Sequence, residues 1–125
     1  MNFIKRLFTR AKTEEDQKGN NYYKLDRVSA NLSMGRALLG EVSPALRAAK
    51  IAWDKDSVHL YFYYDGEISE EDHESAECVA TEVISDFPEH ELEIDILRWD
   101  YPKRIPQEGL ETVYHRREKK PPGID

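Results

Sequence analysis

The stretch DGEISEEDHESAECVATEVISDF, residues 65–87, decides the fold because it couples a well-marked helix to an unusual distribution of charge. Ser69 followed three residues later by Asp72 has the form of an N-cap with an acidic N3 residue, where side-chain oxygens accept from amides that lack helical partners. Behind it Ala76, Val79, Ala80, Val83, Ile84 and Phe87 recur at steps of three and four, forming one apolar stripe at about 100 degrees per residue. Pro88 ends the helix.

Many of the remaining positions of the segment are acidic. Thirteen Asp or Glu fall between Asp65 and Asp95, and no Lys or Arg occurs between Lys55 and Arg98. The net charge of −7 therefore belongs to a mildly basic body that carries one strongly acidic region. Helix stability does not select this arrangement. Glu70, Glu71 and Asp72 suit the positive end of the helix dipole, but Glu82 and Asp86 lie at its negative end. Glu70 with Glu74, and Glu82 with Asp86, are like-charge pairs at i,i+4, each costing about 0.2–0.5 kcal/mol.

Working outward, the residues before this helix read as a β-hairpin. ALRAAKIAW (residues 45–53) and VHLYFYY (residues 58–64) flank a short polar turn. In the second run Val58, Leu60, Phe62 and Tyr64 alternate with His59, Tyr61 and Tyr63, so one face is core and the other aromatic with polar tips. After Pro88, Leu92, Ile94 and Ile96 alternate with Glu91, Glu93 and Asp95, which predicts a third strand with an acidic outer side. A proline-containing loop over residues 100–109 precedes a fourth strand within LETVYHRRE. Upstream, Leu25, Val28, Leu32, Leu38 and Leu39 suggest an amphipathic helix over residues 23–39, closed by Gly40. Residues 1–12 form a basic amphipathic pattern, with Phe3, Ile4, Leu7, Phe8 and Ala11 opposite Lys5, Arg6, Arg10 and Lys12. The expectation is a single α+β domain over residues 1–125 in the order α-α-β-β-α-β-β. It has a mostly antiparallel four-stranded sheet packed by the long acidic helix. Residues 1–21 are a basic helix plus polar loop, and residues 119–125 are a mobile tail.

Several chemistries lack the residues they need. One cysteine, Cys78, cannot form an internal disulfide or a cysteine-based zinc site, which suits a reducing, cytoplasmic setting. His73 and Glu77 are i,i+4 neighbours, with His90 and Glu93 further on, but no recognisable metal-ligand spacing joins them. No phosphate loop, nucleophile elbow or CxxC motif occurs, and no catalytic residues or cofactor are expected. The apolar runs fall short of the ~20 residues that span a bilayer. A signal peptide would need a continuous apolar region and a cleavage site. Arg98, Lys103, Arg104, Arg116, Arg117, Lys119 and Lys120 read as balancing the acidic surface rather than as a nucleic-acid stripe.

The acidic surface itself is the candidate site. Asp65, Glu67, Glu70, Glu71, Glu74, Glu77 and Glu82, with Cys78 among them on the side opposite the apolar stripe, are the expected partner-binding residues. Charge complementarity would accelerate encounter with a basic protein and exclude wrong partners. The run VHLYFYYDGEISEEDHESAECVATEVISDF, followed by ILRWDYP and VYHRRE, resembles small bacterial immunity-like proteins of contact-dependent growth-inhibition and polymorphic toxin systems, over roughly residues 30–118. The resemblance implies a cytoplasmic, non-enzymatic antidote that binds a cognate toxin domain. Together with the acidic surface it points to a basic nuclease as target, without direct contact to nucleic acid or stable insertion in a membrane. A structural or assembly role, with the basic N-terminus docking on a protein or membrane, is the competing expectation.

Overall fold

The computed structural model describes residues 25–119. Within them the order is α1 (Arg27–Ala37), β1 (Leu46–Trp53), β2 (Ser57–Tyr64), α2 (Glu70–Asp86), β3 (Glu91–Arg98) and β4 (Glu111–His115). The expected basic helix at residues 1–12 and nearly all of the expected tail lie outside the described residues.

The four strands form one sheet in the order β3-β2-β1-β4. β1 pairs antiparallel with both β2 and β4. β2 and β3 pair in parallel over their full lengths, from Ser57 opposite Glu91 to Tyr64 opposite Arg98. The sheet is therefore mixed, with two antiparallel pairs and one parallel. The parallel pair follows from chain order, because adjacent parallel strands need a crossover and α2 supplies it. β4 is shorter than the sequence pattern suggests, ending at His115.

α2 forms as its sequence dictates. The Ser69 hydroxyl accepts from the Asp72 amide at 3.0 Å, Glu70, Glu71 and Asp72 fill the first turn, and Phe87 is the C-cap. Ala76, Val79, Ala80, Val83 and Ile84 are buried, as is Phe87. They pack over Val58, Leu60, Phe62 and Tyr64 of β2 and Leu92 and Ile94 of β3 in one continuous core. On the opposite sheet face Tyr63, Ala48 and Ile105 make a smaller core, flanked by Tyr61, Leu97 and Trp99. The loop after β3 folds back to cover that half.

α1 differs from expectation in its ends and in its facing. It starts at Arg27 behind a reciprocal cap: Asp26 Oδ1 accepts from the Ser29 amide, and Ser29 Oγ from the Asp26 amide, both at 2.9 Å. Leu38, not Gly40, is the C-cap. Gly40 takes φ +80 in the turn beyond. The buried side of α1 is Ala30, Ser33, Met34 and Ala37, while Val28, Leu32 and Leu39 face solvent. Two stripes compete on this helix. The one built from small residues wins because it lets the helix settle against α2 and the sheet with Met34 filling the remaining space.

Candidate partner-binding site

α2 is held along one side by the core, and this determines what its other side presents. Glu70, Glu71, Glu74, Cys78 and Glu82 are exposed, and Glu77 is half-buried. Glu71, Glu74, Cys78 and Glu82 run at steps of three and four along one line. Among the described residues, His73 Nδ1 lies 3.6 Å from Glu77 Oε2, whereas Glu70, Glu71, Glu74 and Glu82 pair with no cation. The α1–β1 turn adds Glu41 to the same surface. Desolvation, then the charges of Glu41, Glu74, Glu77 and Glu82, push the Cys78 thiol pKa up. Those neighbours disfavour thiolate and so oppose nucleophilic chemistry at Cys78.

The other expected site residues divide. Glu67 is exposed at the loop before α2. Asp65 is committed to the fold: its Oδ1 accepts from the Tyr101 amide at 3.1 Å, and its Oδ2 pairs with Arg116 Nη2 at 3.1 Å. Asp86, at the C-terminal end of α2, is likewise occupied, accepting from Ser33 Oγ at 2.7 Å and Arg36 Nη2 at 2.8 Å.

The basic residues that the sequence assigns to charge balance turn out partly structural. Arg98 pairs with Asp100 at 3.0 Å. Lys103 Nζ stands 3.8 Å from the centre of the Trp99 ring. Arg116 belongs to a network around Arg47, which sequence reading missed because Arg47 lies inside an apolar strand. Arg47 is bidentate to Glu118, at 2.7 and 2.9 Å, and donates to the carbonyls of Trp99 and Lys103, each at 2.8 Å. Its hydrogen bond is the main cause of the lowered Glu118 pKa.

Among the described residues no three His, Cys, Asp or Glu side chains stand together as a metal site, and no helix is long and apolar enough to cross a membrane. Among the described residues this is a two-layer α+β domain whose exposed carboxylates stand along the outer side of a helix packed on the sheet. The chain belongs to the MafI2 immunity protein family, whose profile matches residues 27–118. No curated protein matches the sequence. The family match covers the whole sheet and both helices, and agrees with the extent of the immunity-protein resemblance read from the motifs.

Proposed function

We propose that this protein neutralises a cognate toxin domain by binding it through the acidic side of α2, and that the toxin is a basic nuclease of a contact-dependent growth-inhibition system met in the cytoplasm. Membership of an immunity family supports toxin neutralisation in general. The observation that carries the finer reading is the row of carboxylates at Glu70, Glu71, Glu74 and Glu82, held on a packed helix with no counter-ion among the described residues. A site built for phosphates is electropositive, and such a row occupies it by charge. Inhibition by occupancy needs no catalytic step, so the protein acts stoichiometrically.

The test is the association rate with the purified toxin domain encoded at the same locus, at low and at high salt. Combining Glu70→Lys, Glu71→Lys and Glu74→Lys should slow association about tenfold or more at low salt and flatten its salt dependence. These positions are exposed, so the fold is retained. An unchanged rate would move the interface off α2.

A further inference from the structure

Among the described residues the large hydrophobics standing in solvent come from one short stretch: Val28, Leu32 and Leu39 are 68%, 63% and 76% exposed, and Val42 is 40% exposed. Isolated exposed leucines are ordinary on a protein surface, but a gathered apolar patch marks an interaction site. Val28 and Leu32 are one helical turn apart on α1, and Leu39 and Val42 continue past its C-cap. Rotating the helix cannot hide them, because Met34 and Ala37 are already buried on its inner side.

Gly35 lies on the same outer side, one turn beyond Leu32. Glycine weakens a helix interior relative to alanine, and nothing stands within 4 Å of where its Cβ would be. The chain's own packing therefore does not require it. What it leaves is a low place in the stripe where foreign atoms can approach the helix backbone. Across Leu32 from Gly35, a cleft of about 80 Å³ is lined by Ser29, Leu32, Ser33, Arg36, Asp86 and Phe87.

The charges around the stripe select its partner. Arg27 and Arg36, the cations of α1, are each engaged by a carboxylate: Arg27 by Glu111 at 2.9 Å and Arg36 by Asp86 at 2.8 Å. Glu41 stands between Leu39 and Val42, and its charge acts on Cys78 of α2. At its Leu39–Val42 end the apolar stripe thus meets Glu41 and, through it, the acidic surface of α2, so the rim is negative there and neutral where Arg27 and Arg36 are paired. A second copy of the chain would set like charge against like across a two-fold axis.

We propose that Val28, Leu32, Leu39 and Val42 form the apolar anchor of the toxin interface, taking apolar side chains that stand beside Lys or Arg on a basic toxin surface. This rests on the toxin-binding reading above and divides the labour within it: the α2 acids set the rate of encounter, and the α1 stripe sets the lifetime of the complex. Interfaces commonly draw most of their affinity from a few well-packed, desolvated residues near their centre, and rim charges act mainly on the on-rate.

The experiment uses the full chain with Leu32→Ser and Leu39→Ser combined, against the same toxin domain, reading association and dissociation rates with thermal stability and sedimentation of the unbound chain. The expected result is affinity weakened about 30-fold or more through faster dissociation. The association rate, its salt dependence and the free chain's melting temperature should stay as in the wild type. Wild-type affinity in this variant, beside slowed association in the Glu→Lys variant, would overturn the anchor and leave the acidic reading standing. A wild-type chain that leaves the toxin unbound would overturn both. A lower melting temperature for the double variant would assign the stripe to the chain's own N-terminal segment, and a wild-type dimer lost in the variant would assign it to self-association. Either result would also overturn the proposal.

Discussion

Lys50 is the residue whose placement runs furthest against ordinary chemistry. It is wholly buried, and its ammonium donates to two neutral oxygens, Thr112 Oγ1 at 2.9 Å and Gln107 Oε1 at 3.3 Å. It stands in a row across the sheet with Asp95, Tyr61 and Thr112, but among the described residues no carboxylate pairs with it. Desolvation lowers its pKa, because burial disfavours the charged form. The unfolded chain therefore binds the proton more tightly. Stability rises with pH as the reference value near 10.5 is approached from below. Lys50→Met keeps the length and removes the charge. Urea unfolding should show the variant more stable at pH 7 by about 1–3 kcal/mol, with the difference narrowing towards pH 10. A variant less stable than wild type at pH 7 would show the two hydrogen bonds to outweigh the desolvation cost.

The two helices show opposite relations between sequence and element. α1 carries Gly35 in open space, so Gly35→Ala should stabilise the free protein by about 0.5–1 kcal/mol. The check is a higher urea midpoint at unchanged slope; a lower midpoint would mean that the methyl group meets a neighbour. α2 was legible down to its cap and each buried residue, because its large apolar side chains share a single stripe and every other position is polar. Its acidic side followed at once, since what is opposite a core must face water. The facing of α1 was legible only in part: Leu38 is buried and Leu25 packs against the core, but Val28, Leu32 and Leu39 face solvent. Val28, Leu32 and Leu39 outweigh Ala30, Ser33 and Ala37 in hydrophobicity, so periodicity favours the side that the structure exposes. Close packing against α2 depends on small size, which a hydrophobic pattern does not register. Lys50 and Arg47 escaped for a related reason: each sits in LRAAKIAW, where the apolar neighbours give no sign that the long cation has a partner waiting on another strand or at the chain's end.

At the scale of the whole molecule, the Arg47 network joins parts of the chain that secondary structure leaves separate. Through Glu118 and Arg116 it ties β1, the carbonyls of residues 99 and 103, Asp65 after β2 and the segment beyond β4. The Arg47 and Glu118 side chains are only 4% and 12% exposed, so removing one partner leaves a buried charge uncompensated. Glu118→Gln should cost about 3 kcal/mol at pH 7. Its pKa is lowered from an ordinary value near 4.5, chiefly by the Arg47 hydrogen bond. The contribution is present above that value and lost as pH falls through the lower folded one. Denaturation midpoints of wild type and variant should therefore converge as pH falls through the lowered folded pKa of Glu118, and a gap that persists once it is protonated in both states would deny the ion pair its role. The charge within the described residues is arranged with the same economy of contact: most of their cations are engaged in structure, and Glu70, Glu71, Glu74 and Glu82 of α2 are left to the outside. Along that helix core positions and acidic positions alternate every three or four residues, yet they answer to different demands. If α2 is the interface proposed above, a lineage under pressure to follow a changing toxin can rewrite the outer letters of α2 while the inner ones stay fixed, so new specificity arises without inventing a new fold.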